Sequence, residues 1–142
     1  MKNPDAHEGL GGSEFQFLVF NIMGNRLGVD AEQIDQMLEL DRIREQTDRV
    51  FRLHEIISFR EKPVKYRAPK VLVIKDTTVP TGIVIDQPEA IIQVGINLIR
   101  SLPSLAMTAQ RPAPIWGVTV KEGEIVLLMD LYKLIGGIPN EL

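Results

Sequence analysis

The chain has 142 residues, of which 44% are hydrophobic and 25% charged, and its net charge is -3. A chain of this length can bury a core as one domain or as two small subdomains. This composition excludes a disordered chain, and the weak negative charge argues against a nucleic-acid partner. Cysteine is absent, which excludes disulfides and thiolate metal sites and fits a reducing compartment. The apolar runs are far shorter than the roughly 20 residues that span a bilayer, so we expect a cytoplasmic protein without direct membrane insertion.

The N-terminal third predicts a tail followed by a β-hairpin. Residues 1–14 are polar and contain glycines, so we expect a flexible tail there. Residues 15–23 read as a strand, Gly24-Asn25 as a turn and residues 26–31 as the returning strand. The acidic stretch 30–48 has apolar residues too irregularly spaced for a long helix.

The middle of the chain predicts further strands on either side of a linker. Residues 49–59 read as a strand, or as a strand leading into a helix. Residues 60–70 carry five Lys or Arg with two prolines and predict a basic linker. Residues 71–74 and 81–85 are apolar runs that predict a second hairpin. Residues 94–114 contain three prolines and read as a longer connection.

The C-terminal segment predicts a third hairpin that runs into a short helix. The apolar runs Ile115–Val120 and Ile125–Met129 flank a polar tetrad that contains glycine. The second run is apolar on both faces, so both faces should be buried. Asp130 is placed to cap a helix that ends at Gly136, and residues 137–142 form a C-terminal tail.

An internal repeat indicates two similar β-subdomains. Residues 28–40 align with residues 82–94 without a gap, and the glycine and the sixth-position glutamine coincide. Each copy follows an apolar strand and a short turn. We therefore expect two small β-subdomains, from residues 15–59 and 71–136, packed together. The first half has no counterpart of Ile115–Val120, so its subdomain should be incomplete.

No set of residues assembles an active site. The chain has two histidines, His7 in the predicted tail and His54 in an apolar run, where a packing role is the more common one. No glycine-rich loop precedes a Lys-Ser or Lys-Thr pair, and the carboxylate clusters lack the pattern of a calcium loop. The basic linker offers a handle for an anionic partner, although a solvated connection is the commoner role. These observations predict a binding module without enzymatic activity, metal or cofactor.

Three segments together resemble the CheW-like domain, the coupling module of bacterial chemosensory arrays. Residues 71–94 (VLVIKDTTVPTGIVIDQPEAIIQV) have its strand pair, its Gly-aliphatic-Asp run and its alternating aliphatic residues. Residues 102–136 resemble its closing segment, with a strand that ends Leu-Leu-x-Asp-Leu. Residues 17–40 resemble its opening segment. The matches cover most of residues 15–136, and their order and spacing make the combination more specific than any one motif.

The resemblance implies an all-β fold with one or two short helices, built as two linked SH3-like β-barrels. It implies no enzymatic activity and no cofactor. The implied partners are the regulatory domain of a CheA-type histidine kinase and the cytoplasmic tip of chemoreceptors. The implied role is that of an adaptor in chemotaxis-type signal transduction.

Two departures from the family pattern concern the first half. Family members carry a Gly-x-aliphatic-Asn-aliphatic-Arg-Gly motif whose arginine is tied to coupling, whereas this chain has only residues 41–49 in that place. Those residues cannot supply a strand with a buried face, so we expect an open sheet edge and possible homo-oligomers. Gln36 stands where the family usually has glutamate.

The resemblance and the repeat select five candidate contact residues: Ile34, Gln36, Met37, Val84 and Ile91. For each of them, packing in the core is an alternative role, because apolar strand residues usually face inward. Two other functions stay open. One is a CheW-like module that binds a different regulator or a second copy, with the basic linker as its handle. The other is a sensor that holds a small ligand in a cleft between the barrels.

Overall fold

The computed structural model describes residues 14–57, 59, 63–102 and 114–136, which fold mainly as β-structure. The described residues contain ten strands: β1 (Glu14–Ile22), β2 (Asn25–Asp30), β3 (Ile34–Glu39), β4 (Arg49–Arg52), β5 (Pro69–Ile74), β6 (Thr81–Asp86), β7 (Pro88–Gly95), β8 (Arg100–Ser101), β9 (Ile115–Lys121) and β10 (Glu124–Met129). They also contain three short helices, α1 (Ile43–Gln46), α2 (Leu53–Ile56) and α3 (Leu131–Gly136). The predictions for residues 1–13, 58, 60–62, 103–113 and 137–142 lie outside the described residues, and Glu14, predicted to belong to the tail, begins β1.

The strands form two sheets, and each sheet belongs to one SH3-like subdomain. The six-stranded sheet has the order β7-β1-β2-β10-β9-β8, and the four-stranded sheet has the order β3-β5-β6-β4. In the first, β10 runs parallel to β2; in the second, β4 runs parallel to β6. The predicted all-β fold with two small SH3-like subdomains and a few short helices is confirmed.

The sheets do not follow the predicted division of the chain into halves. From the first half, β1 and β2 join the six-stranded sheet, whereas β3 and β4 join the four-stranded sheet. From the second half, β5 and β6 stay together, and β7 crosses over to pair with β1. The two subdomains therefore exchange strands, because in each half the strand that follows a hairpin pairs within the other sheet.

The predicted hairpins are present, although the first turn lies at Met23-Gly24 rather than at Gly24-Asn25, and the turns explain two of the glycines. β1 and β2 are joined at Met23-Gly24, whose φ angles are 52° and 82°. β9 and β10 are joined at Glu122-Gly123, whose φ angles are 54° and 79°. Two successive residues with positive φ form the tight turn that matches the twist of paired strands, and glycine adopts this conformation without steric strain.

The apolar faces of the strands build three clusters of buried side chains. The largest lies between the two sheets and also takes in Leu53 from α2 and Leu131 and Leu134 from α3. The second fills the six-stranded sheet and includes Phe17, Val19, Val94, Val126 and Leu128. The third fills the four-stranded sheet and includes Leu38, Val71, Val73 and Val84. Burial of the central cluster joins the subdomains into one folded body.

The parallel strand pair in each sheet supports the internal repeat. Leu128 of β10 pairs with Gly28 of β2, and Val50 of β4 pairs with Gly82 of β6. A Cβ atom at Gly82 would lie 2.8 Å from the Val71 side chain. A Cβ atom at Gly28 would lie 3.2 Å from Leu128. Close packing inside each sheet therefore favours glycine at the repeated position, most strongly at Gly82.

The segment that replaces the family motif forms no strand, as predicted. Residues 40–42 form a 3-10 turn, and α1 follows directly. Ile43 packs against the core of the four-stranded sheet, and the Gln36 amide donates to Gln46 Oε1 at 3.3 Å. In the four-stranded subdomain, α1 thus occupies the position along the chain that β8 and β9 occupy in the six-stranded subdomain. Among the described residues the four-stranded subdomain is therefore incomplete, and its strand β4 pairs on one side only.

The sequence analysis did not identify β3 and β7 as strands. In β3, the more buried residues Ile34, Gln36 and Leu38 alternate with three exposed residues. Because one of the inward-facing residues is a glutamine, the alternation of apolar and polar residues that predicts a strand is not visible in the sequence. In β7, Ile91 and Ile92 are adjacent and face opposite sides of an edge strand, so the run does not alternate either.

Asp130 caps α3 as predicted, and the Gln33 side chain supports this cap. Asp130 Oδ1 accepts from the backbone N–H groups of Tyr132 at 2.9 Å and Lys133 at 3.2 Å. The Gln33 amide donates to the same oxygen at 3.1 Å, and its Oε1 accepts from the Leu131 N–H at 2.8 Å. Gln33 therefore fixes the start of α3 with both ends of its side chain.

Replacing Gln33 with alanine should lower the free energy of unfolding by about 1–3 kcal/mol, since the change removes both hydrogen bonds at the start of α3. Urea denaturation followed by circular dichroism measures this. Gln93→Ala on the exposed face of β7 is the matched control and should have little effect. Equal midpoints for the two variants would contradict the role given to Gln33.

Candidate partner-binding surfaces

Four of the five predicted contact residues lie on the edge strands β3 and β7. Met37 is 45% exposed on β3, and Ile91 is 61% exposed on β7. Ile34 is half-buried and packs against the core between the sheets, and Gln36 is held by its hydrogen bond to Gln46. Because β3 and β7 belong to different sheets, Met37 and Ile91 lie on two separate surfaces rather than on one.

Val84, the fifth predicted contact residue, is a core residue. Its side chain is 1% exposed and packs with Leu38, Val71 and Val73 inside the four-stranded sheet. The prediction that Val84 touches a partner is therefore wrong for the folded chain. β6 is a central strand with all six residues buried, so neither of its faces reaches solvent.

A row of exposed apolar residues crosses the end of the β9–β10 hairpin. Val120 and Ile125 are paired across the two strands, and their exposures are 65% and 63%. Leu98, 64% exposed, lies beside them, because its carbonyl accepts a hydrogen bond from the Thr119 hydroxyl at 2.8 Å. Leu98 and Val120 line an open cavity of about 250 Å³. Contiguous exposed apolar side chains of this kind are typical of protein-binding surfaces.

The apolar row was not predicted from the sequence, for a physical reason. Val120 and Ile125 lie at the ends of strands that were expected to be buried. In the structure, Val126 and Leu128 do face the core of the six-stranded sheet and are fully buried. Ile125 alternates with them, and at this end of the hairpin no described element covers its face.

One buried carboxylate holds the end of the basic linker in place through hydrogen bonds. Asp86 is fully buried, and its oxygens accept from the backbone N–H of Arg67 at 2.9 and 3.0 Å and of Ala68 at 2.6 Å. The side chains of Lys65 and Arg67 stay on the surface and line a cavity of about 360 Å³ with Asn21 and Gln87. The linker therefore presents two cations on a fixed backbone.

His54 has a structural partner in the same linker. The Tyr66 hydroxyl accepts from the His54 backbone N–H at 3.2 Å and lies 3.0 Å from His54 Nδ1. Partial burial raises the pKa of Tyr66 above its ordinary value, so the hydroxyl stays protonated at neutral pH. This contact ties α2 to the linker and accounts for the histidine without a catalytic role.

Within the described ranges, no group of three or more His, Asp or Glu side chains is placed to hold a metal ion. No helix in the same ranges is long and apolar enough to cross a membrane.

The fold and these surfaces define a class of protein: two SH3-like β-subdomains that share a core and expose apolar surfaces. The sequence profile of the CheW-like domain matches residues 16–138. The chain belongs to the CheW-like domain family. Among solved structures it is similar to the scaffolding protein TtCheW from Thermoanaerobacter tengcongensis, with a TM-score of 0.67 and 14% sequence identity. That match covers 90% of this chain and 97% of the other, and no curated protein shows significant sequence similarity.

Proposed function

We propose that this protein is a non-enzymatic, cytoplasmic adaptor in chemotaxis-type signal transduction that links a CheA-type histidine kinase to chemoreceptors. The match of the CheW-like profile across both subdomains carries the proposal. Similarity to the fold of a scaffolding protein supports it. A protein of this kind acts by binding alone, so its function depends on exposed surfaces rather than on a catalytic centre.

The distribution of exposed apolar residues fits an adaptor that holds two partners at once. The row formed by Leu98, Val120 and Ile125 lies on the six-stranded sheet, whereas Met37 lies on the edge of the four-stranded sheet. An adaptor needs separate surfaces, because a single shared surface would make its partners compete. The exposed aliphatic side chains in each surface are suited to anchor a partner.

Replacing Ile125 with aspartate should weaken binding to at least one partner by roughly tenfold or more, since it puts a charge into the apolar row. Pull-downs with the kinase and with receptor-containing vesicles from the same organism measure this, together with receptor-controlled kinase activity. Val79→Asp, on an exposed loop residue of comparable size, is the control and should bind like the wild type.

If the wild-type chain bound neither kinase nor receptor, the adaptor function would be wrong. If it bound both and Ile125→Asp bound equally well, the apolar row would lose its role while the adaptor function stood. We expect the wild type to couple the two partners weakly, because α1 replaces the segment that carries the family's Arg-Gly turn.

A second candidate function is binding to a different, acidic regulator through the linker. The cavity lined by Lys65 and Arg67 favours it, since two surface cations on a fixed backbone attract a carboxylate-rich segment. Such binding would weaken steeply as the salt concentration rises, whereas binding through the apolar row would not.

The third alternative is a small-ligand sensor, which would need a cleft for the ligand between the two subdomains. That space is filled by large, fully buried side chains, among them Phe20, Leu72, Ile83 and Ile85. A ligand would have to displace part of this core, so we do not propose this function.

A further inference from the structure

The open side of β4 exposes a position that is buried in the other sheet. Val50 and Leu128 occupy equivalent positions, each paired with the repeated glycine of its sheet. Leu128 is fully buried because β9 pairs with β10 on its far side. Val50 is 36% exposed, and among the residues that the structure describes, β4 pairs with β6 alone. The described part of the four-stranded sheet thus lacks a strand beside Val50.

The hydrogen bonds of β4 show which backbone groups face this open side. The N–H groups of Asp48 and Arg49 both donate to the Pro80 carbonyl, at 2.9 and 3.1 Å, on the β6 side. Because backbone groups alternate between the two sides of a strand, the N–H and C=O of Val50 point to the open side. The next outward N–H, that of Arg52, is already bonded to Glu55 Oε1 at 2.9 Å. Strand pairing at this edge must therefore centre on Val50.

The residues around Val50 are complementary to a second copy of themselves. In an antiparallel pair, two residues that both point outward face each other, so Val50 would face Val50 of a second copy and exchange two hydrogen bonds with it. This register places Asp48 opposite Arg52 of the second copy, and the two-fold axis repeats that pair. Asp48 and Arg52 are both exposed, and neither forms a salt bridge with another described residue.

We propose that two copies of this chain associate through antiparallel pairing of β4, with Val50 at the two-fold axis and Asp48 facing Arg52 on either side. The occupant of the open edge is a second copy because the sequence Asp48–Arg52 is charge-complementary to itself in the one register that the backbone allows. The contact is short, and Glu55 limits its length, so the dimer is weak and forms at high protein concentration. The proposal does not depend on the identity of the kinase or the receptor.

A charge-exchange experiment tests both the dimer and its register. Sedimentation velocity of the full chain, up to roughly 1 mM, should show a reversible monomer–dimer equilibrium. Arg52→Asp alone, or Asp48→Arg alone, should weaken the dimer by roughly tenfold, since each makes both symmetric pairs repulsive. The double variant, with the two charges exchanged, should restore association. Arg100→Asp on β8 is the matched control, because it makes the same charge change on an edge strand of the other sheet.

The thermal midpoint of each variant separates loss of pairing from loss of folding. A dimer weakened in both single variants and recovered in the double variant, at equal thermal midpoints, supports the proposal. A chain that stays monomeric over the whole concentration range overturns it and leaves the edge to a strand from another protein. A dimer that is insensitive to the charges, or that the exchange fails to restore, also overturns it.

Discussion

Replacing Asp86 with alanine should lower the free energy of unfolding by about 2–4 kcal/mol. The carboxylate is fully buried and accepts from the backbone N–H groups of Arg67 and Ala68. Hydrogen bonds to a charged group contribute more than neutral ones, and the substitution removes all of them at once. Released from Asp86, the linker would no longer hold Tyr66 against His54, so α2 would also lose a contact.

Asp30, which ends β2 as Asp86 ends β6, supplies the control for Asp86. Asp30 is half-buried, and its side chain accepts one backbone hydrogen bond, from Glu32 at 2.9 Å. Asp30→Ala should therefore cost only about 1 kcal/mol. Chemical denaturation of both variants, followed by tryptophan fluorescence from Trp116, measures the difference. If both substitutions lower the free energy of unfolding equally, the burial and hydrogen bonding of Asp86 do not contribute the additional stability expected of them.

Replacing Leu128 with alanine should lower the free energy of unfolding by about 2–5 kcal/mol, because it leaves a cavity in the core of the six-stranded sheet. Leu127→Ala should cost less, since Leu127 is only partly buried, on the side that faces the other sheet. Ile125→Ala on the same strand is the control and should be nearly silent, given its 63% exposure. Denaturant titration of the three variants tests the order, and a silent Leu128→Ala would contradict the observed burial.

The elements predicted well are those set by local patterns. Tight turns with glycine locate the hairpins β1–β2 and β9–β10, and Asp130 with its following apolar residues locates α3. The short charged segment between residues 40 and 49 predicted correctly that no strand would form there. In each case the signal lies within a few residues of the element itself, so a single sequence contains it.

The features that the sequence did not predict depend on distant partners. β3 and β7 each join a sheet through packing against strands that are distant in the sequence. The residues Ile34–Glu39 by themselves do not indicate which sheet β3 joins. The burial of Val84 and the exposure of Ile125 depend in the same way on how far neighbouring strands extend. Candidate contact residues were therefore selected by type and position, and the structure places four of the five near the surface.

The exchange of strands between the sheets imposes an order on folding during synthesis. All strands of the four-stranded sheet lie between Ile34 and Asp86, so this sheet can form before β7 to β10 have been synthesised. The six-stranded sheet cannot, because Leu27 near the start pairs with Leu127 near the end. Until β10 is available to pair with β2, the apolar hairpin β1–β2 can pair only with β7. The first hairpin therefore remains longest without its full set of strand partners.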